Sequence, residues 1–544
     1  MSLFDKIIAA RGFNKKTKAA FLSPDYSSIY DPFLLPDMDK AIDRIVLAKL
    51  KKETITIYGD YDIDGLTASA LLFEALTKFG FTSVNIFMPN RFIEGYGMTV
   101  EAMEKIAKEN NPQLIITVDC GSLSEKEIIR ANELGIDVIV TDHHGVAKVQ
   151  PPAIAVINPK RLDSQYPFSD LAGVGVAFKL VQALQSRLEG LPIGQEKWLL
   201  DLVALGTICD IVPLIDENRI FSYWGLKVLS KAKRPGLRAL MMVASIDPRI
   251  VNARSLGFGI GPRMNAAGRL ETAQYALDLL MSNDFDDSLK KAEYLDSLNK
   301  SRQLDQAKIL KEAIVQAEKF SNDPVLVLSS SDWSHGIVGI VASKIMEKYK
   351  KPTFVFQEIA EESKGSARSY GDFNLIDAIN NKKNIILRGG GHKVAAGVTL
   401  PTKNIDKFRN SVNDYYHSQK FDNQELLLLP VQDAVADLIE LDEALVDMIN
   451  QLEPFGNGNR QPIFRTDNLI VVDIKKMGEA GQHIKIELKD NNGYKMKFLA
   501  FGAPSYFIVD IGAKISVWYH IDINEWQGNR SVEGKLLHLD IIPN

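Results

Sequence analysis

The chain has very little cysteine: Cys120 and Cys209 are the only two in 544 residues. That excludes a disulfide framework and a cysteine-built zinc site, and it fits a reducing compartment. It has no run of about 18 apolar residues, so no membrane span is expected. Its first residues, MSLFDKIIAARGFNKK, lack the basic-then-apolar layout of an export signal, so a cytoplasmic location is expected. It has no excess of positive charge, since 64 basic residues face 69 acidic ones and the formal net charge is −5. A chain-wide basic coat for nucleic acid is excluded, but a local basic groove is not. Repeats and low-complexity tracts are also missing. What remains is an ordinary globular composition, 46% hydrophobic and 24% charged. The length implies roughly two to four domains.

Residues 1–45 read as a short helical prelude with a proline-containing connector, DPFLLPDMD. From 46 to 270, apolar strands alternate with helices, beginning ETITIYG, SVNIFMPN, PQLIITVDCG, DVIVTDHH and AIAVINP. That alternation predicts βαβ units and a parallel sheet. Residues 271–320 contain a long stretch with a three-to-four-residue apolar period and no Pro or Gly, which predicts a connecting helix roughly 50 Å long. A second α/β pattern covers 321–423, with a glycine-rich loop at RGGGHKVAAG. Residues 424–544 change to alternating strands with Asn-Gly and Gly-Asn turns, which predicts a small β-barrel with the OB-fold as one candidate.

The densest chemistry is YGDYDIDG at 58–65, where Asp60, Asp62 and Asp64 alternate before a glycine. An EF-hand needs a bidentate Glu at loop position 12 and a preceding helix. Position 12 counted from Asp60 is Leu71, and the preceding residues read as a strand. The carboxylates therefore lie on a strand-to-helix loop, at the sheet edge where ligands bind in open α/β folds. Asp119 and the triplet Asp142-His143-His144 also directly follow apolar strands, and Asp210 sits inside an apolar run. Any one such Asp is as readily a helix N-cap, and a lone His a packing residue. Several at one edge point instead to a divalent cation, with oxygen and imidazole donors suiting Mn²⁺ or Mg²⁺ better than structural zinc. Two such ions can clamp a phosphate ester and activate water.

In order and spacing, YGDYDIDGLTA, TVDCG, DHH and ALGTICDIVPL resemble the four motifs of the DHH phosphoesterase superfamily. RFIEGYGM, GVGVAFKL, GPRMNAAGRL, HGIVGIVASKIMEKY, GSARS, GGGHKVAAG and LEPFGNGNRQPIF resemble its RecJ branch, the single-strand-specific 5′→3′ exonucleases. The resemblance implies a parallel-sheet DHH domain, a DHH-associated domain and an OB-fold barrel. It implies one or two Mn²⁺ or Mg²⁺ ions on Asp60, Asp62, Asp64, Asp119, His143 and Asp210, with Asp119 bridging. It places His144 beside the scissile phosphate and gives Asp142 the role of orienting its neighbour. Arg91 and Tyr96 match residues that line the strand entry, and Arg263 matches a backbone contact. Ser366 and Arg368 match a 5′-phosphate pocket, and Gly389, Gly390, Gly391 and His392 a phosphate-binding loop. Tyr58 stands where many DHH phosphoesterases carry a histidine. The resemblance also implies single-stranded DNA as substrate, a role in recombination and repair, a monomer, and cooperation with a RecQ-type helicase and a single-strand-binding protein. Competing readings are a phosphodiesterase for very short or cyclic oligonucleotides and a non-catalytic scaffold. The barrel lysines 475, 476, 485, 489, 495, 497 and 535, interleaved with Phe498, Phe501, Trp518 and Tyr519, form either a single-strand groove or a solvated face over a packed core.

Overall fold

The computed structural model describes residues 1–90, 97–381, 384–419, 430–478, 481–526 and 528–542. The described residues of 1–261, 277–288 and 429–544 form one compact unit, and those of 262–276 and 289–428 form a second.

The first unit contains five parallel strands in the order β2-β1-β3-β4-β5. They are β1 (Ile55–Tyr58), β2 (Val84–Phe87), β3 (Leu114–Val118), β4 (Asp137–Thr141) and β5 (Ala155–Ile157). Strands β1 and β3 are buried along their whole length, as expected for a parallel sheet covered on both faces. The order reverses beside β1, so the β1 and β3 carboxyl ends flank the crevice where ligands settle in such sheets. The helix Ile63–Lys78 follows β1, and Ala and Leu make its buried face. Two further helices, Gly173–Leu184 and Leu200–Cys209, are almost wholly buried.

The same unit holds a closed barrel. Strands β12 (Phe464–Met477), β13 (His483–Lys489), β14 (Lys495–Ala500), β16 (Asn529–Ile541) and β15 (Lys514–Trp526) pair in that order, and β15 returns to β12. The short β11 (Ala434–Val435) adds to β12. Closure removes the free edges. Phe498 and Tyr519 are fully buried in the barrel core, whereas Trp518, next to Tyr519 on the strand, lies on the opposite face under Arg465, and Phe501 is 65% exposed. Lys475 pairs with Asp473 and Lys535 with Asp522.

The chain's first helix, Leu3–Ala10, buries Leu3, Phe4, Ile7 and Ile8 in the barrel's own core. The prelude of 1–45 is thus a partner of residues more than 400 positions away, which periodicity cannot reveal. The helix Met38–Lys51 runs across position 45 because Met38, Ala41, Ile42, Ile45 and Ala48 form one buried face. Arg219 ties these parts together. It is 2% exposed, donates to the carbonyls of Phe21 and Leu452, and stacks 3.7 Å from the Phe21 ring centroid. Arg219→Ala is expected to strand the buried carbonyl of Leu452 and the half-buried one of Phe21 and to cost about 3 kcal/mol. A melting temperature within a degree of wild type would reject that role.

The second unit carries the helix Phe285–Lys319 over most of its length and a five-stranded sheet in the order β6-β7-β8-β10-β9. Its strands are β6 (Leu326–Ser330), β7 (Thr353–Ile359), β8 (Glu362–Arg368), β9 (Arg388–Gly391) and β10 (Ala395–Pro401). The glycine-rich segment is a correction to the sequence reading: Gly389, Gly390 and Gly391 form an edge strand on β10 rather than a loop. Ladder hydrogen bonds to β10 satisfy backbone that the glycines alone would leave unconstrained.

Candidate metal centre

Each carboxylate reaches the sheet edge by a local device. Asp62 is the N-cap of Ile63–Lys78 and accepts from the amides of Asp64 (2.9 Å) and Gly65 (3.1 Å). Asp64 lies in the first helical turn, 1% exposed. It accepts from the amides of Gly173 (2.6 Å) and Val174 (2.8 Å), at the start of the helix Gly173–Leu184. Asp119 follows β3 with φ +62°, a left-handed conformation seldom taken by a non-glycine residue. Its carboxylate leaves no room for a side chain opposite, since a Cβ on Gly173 would come within 2.5 Å of Asp119 Oδ1. Asp210 caps the end of the helix Leu200–Cys209.

These groups converge. Nε2 of His143 lies 3.1 Å from Asp119 Oδ1, 3.6 Å from Asp210 Oδ2 and 3.8 Å from Asp64 Oδ2. Three overlapping sets each bring candidate donor atoms within 4.8 Å of one another: Asp60, Asp62 and Asp119; Asp64, His143 and Asp210; and Asp119, His143 and His144. Asp119 is shared by two of them. Both oxygens of Asp119 and Nε2 of His143 are buried without a hydrogen-bond partner. Orphaned buried acceptors are costly, and a divalent cation among them would satisfy all three at once.

The electrostatics agree. Burial, then the charge of Asp62, raises Asp64 to about 7. Burial, then Asp64, raises Asp210 to about 8. Asp119 is driven well above the usual carboxylate range by burial and by Asp64. Burial lowers His143 to about 3, which leaves it neutral and able to donate a lone pair. Asp142 behaves differently. It accepts from the amides of His143 (2.7 Å), His144 (3.0 Å) and Ser122 (2.9 Å), and it lies 2.8 Å from His144 Nδ1. Burial opposes its charge, but the bonds to His144 hold it well below the usual carboxylate range. Burial likewise opposes charge on His144, and Asp142 outweighs it to lift that imidazole to about 9.

Asn158 was not legible as a site residue. It is fully buried, donates to the carbonyl of His144 (3.0 Å) and to Ser122 Oγ (2.8 Å), and so braces the triplet from β5. A single Asn in INPK carries no signal of that role. Tyr58 is also resolved: its hydroxyl donates to the carbonyl of Gly97 (3.0 Å) and its ring stacks on Phe87. Burial raises the thiols of Cys120 and Cys209, the latter to about 12, which suits packing rather than nucleophilic roles.

The DHH family N-terminal domain matches residues 54–207, the DHHA1 domain 322–418 and the RecJ OB domain 432–538. A single-stranded-DNA-specific exonuclease RecJ of Bacillus subtilis is 37% identical over 97% of this chain and 66% of its own length. The Haemophilus influenzae protein of the same name is 34% identical over 98% of this chain and 95% of its own. The chain belongs to the RecJ family. The crystal structure of Thermus thermophilus RecJ in complex with Mn²⁺ superposes on all of this chain and 76% of its own, with a TM-score of 0.85 and 28% identity. A second RecJ structure, bound to manganese, gives 0.63 over 73% of this chain and 97% of its own at 32% identity.

Of the residues that match RecJ motifs outside the carboxylate cluster, Arg91 and Tyr96 lie outside the described residues. Arg263 belongs to the second unit, where its Nε donates to Asp296 Oδ1 at 2.8 Å. Ser366 and Arg368 are on β8. Register places Ser366 opposite Gly397 on β10, and Gly397 opposite Gly390 on β9, so the three form one row. A Cβ on Gly339 would stand 3.3 Å from Ser366 Oγ and 3.5 Å from an Arg368 guanidinium nitrogen. Gly397 joins this neighbourhood through the sheet register and Gly339 through the packed helix His335–Tyr349, neither of which a local sequence window reveals. His392 is exposed, and its amide closes a turn on the carbonyl of Ala395 (2.7 Å).

Proposed function

We propose that the chain is a metal-dependent exonuclease that degrades single-stranded DNA from the 5′ end to mononucleotides, in recombination and repair. The observation that carries this reading is the pair of unpartnered Asp119 oxygens facing an equally unpartnered, neutral His143. Asp60, Asp62, Asp64, Asp119, His143 and Asp210 are the residues that would hold Mn²⁺ or Mg²⁺. Bound there, ions of this class neutralise phosphate charge and bring the pKa of a coordinated water toward neutrality.

The chain's own groups do the rest. Amides of Gly173 and Val174 hold Asp64 in place, and the Asp142 carboxylate keeps the His144 ring oriented and cationic. A cationic imidazole at that point is suited to donate a hydrogen bond to a phosphate oxygen. Arg263, ordered by Asp296, supplies a backbone contact, and Ser366, Arg368, Gly390, Gly391 and His392 supply the terminal-phosphate site. Arg91 and Tyr96 line the strand entry. Family likeness supports these assignments. A RecQ-type helicase and a single-strand-binding protein as suppliers of substrate, a monomeric state and a cytoplasmic site of action complete the reading. Among the described residues no helix is long and apolar enough to cross a membrane.

A time course on 5′-labelled and 3′-labelled single strands, with and without Mn²⁺, tests this. Release of labelled mononucleotide at once from the 5′ label, and only at the end from the 3′ label, is expected. Cleavage confined to dinucleotides or cyclic dinucleotides, or no cleavage at all, would overturn the reading. In the same assay Arg368→Ala should narrow the preference for a 5′-phosphorylated end by roughly tenfold, the scale of one lost charged hydrogen bond. An unchanged preference would remove Arg368 from that site.

A further inference from the structure

The motif LEPFGNGNRQPIF has no role in the reading above, yet its turn bonds the residues that directly follow Asp210. Asp210 ends a helix, and the next residue, Ile211, has φ +63°. A β-branched residue in the left-handed region is strained and persists only where its surroundings over-determine it. Ile211 is 69% exposed, so its own packing does not supply that restraint.

The restraint comes from residues 456–459, which lead into the barrel. Gly456 and Asn459 close a tight turn by reciprocal amide-to-carbonyl bonds of 2.9 and 3.1 Å. Asn457, on that turn, donates from Nδ2 to the carbonyl of Ile211 at 2.9 Å. Its own carbonyl accepts from the amide of Leu214 at 2.7 Å. The two bonds bracket the four residues that follow Asp210. The glycines on either side permit this approach: a Cβ on Gly456 would meet Leu214 Cδ1 at 2.7 Å, and Gly458 has φ +72° with Pro213 beside it. The turn is itself anchored, because Asn459 donates to the carbonyls of Leu452 and Pro454 and accepts from Arg11.

We propose that Asn457 is a positioning residue for Asp210: by holding the Ile211 carbonyl it fixes the turn that aims the Asp210 carboxylate at His143, 3.6 Å away. The inference rests on the metal-binding reading of the site. It makes the segment that enters the barrel part of the metal centre, so that Mn²⁺ affinity depends on a residue far from every donor atom in sequence.

Calorimetric titration of the metal-free full-length chain with Mn²⁺ tests it, with no need of cleavage. Asn457→Ala is expected to weaken Mn²⁺ binding by about tenfold or more, as loss of a ligand-orienting partner does. Its metal-free melting temperature should stay within a few degrees of wild type. Asn457→Asp, which keeps the shape and loses the donor, should behave alike and keeps the test open if the alanine variant fails to fold. The Asn457→Ala loss should shrink several-fold in an Ile211→Gly background, where the turn is unstrained. Wild-type Mn²⁺ affinity in both Asn457 variants, or a loss undiminished by Ile211→Gly, would overturn the proposal alone. A wild-type chain that takes up no Mn²⁺ would overturn it together with the reading on which it rests.

Discussion

Asp119→Ala is expected to lower the cleavage rate by about a thousand-fold or more, on the scale of losing a principal electrostatic stabiliser. The residue is shared by two of the three donor sets, so its removal takes a donor from each. The variant should nevertheless fold. Asp119 is buried, unpartnered and surrounded by Asp60, Asp62, Asp64 and Asp210, so wild type without metal carries an unfavourable carboxyl there. Removing it relieves desolvation and repulsion. Single-strand binding should persist, because no strand-contacting residue is altered. Gel-shift measurement and a cleavage time course on the same preparation check both halves. Normal cleavage by Asp119→Ala in Mn²⁺ would end the assignment of these residues to metal.

The second large effect is pH dependence. In the metal-free fold Asp64 is raised to about 7, Asp210 to about 8 and His144 to about 9, and Asp119 stands well above the usual carboxylate range. Between about pH 6.5 and 8.5 the folded chain therefore holds protons that the unfolded chain has released. Stability of the metal-free protein should fall as pH rises across that window. His143, lowered to about 3, is neutral when folded but about half protonated in the unfolded chain near pH 6.5, so it opposes the slope at the lower edge of the window and ceases to count as pH rises further. Metal binding needs the deprotonated carboxylates, so it releases protons and strengthens with pH. Mn²⁺ affinity should rise by about tenfold for each proton released per pH unit over the lower part of the window. Melting curves and Mn²⁺ titrations at pH 6.5 and 8.5 provide the check. A metal-free melting temperature that climbs with pH, or Mn²⁺ affinity indifferent to it, would mean that the carboxylates are not gathered as described.

The readable part of the site was its chemistry. Alternating carboxylates after one strand, a lone Asp after another and Asp-His-His after a third declare themselves because strand ends in a parallel sheet share an edge. The readable part of the fold was its element order, since periods of two and of three to four residues are local properties. The aromatics of the barrel show where that reading stops. Phe498 and Tyr519 stand among lysines and aromatics as a binding face would, yet they point inward, while Trp518 beside Tyr519 points outward. Pattern gives alternation, but not which side is the core.

What the amino-acid order determined by itself was which carboxylates and histidines follow the strands, and the strand-and-helix alternation, each of which depends on neighbours a few residues apart. Only the tertiary structure decided which donors meet, why Gly173 must lack a side chain, why Asp142 stays charged while Asp64 and Asp210 hold protons, and why the first helix belongs to the last domain. The physical reason is that burial, mutual repulsion and hydrogen-bond partnership are set by groups distant in sequence, and no local window contains them.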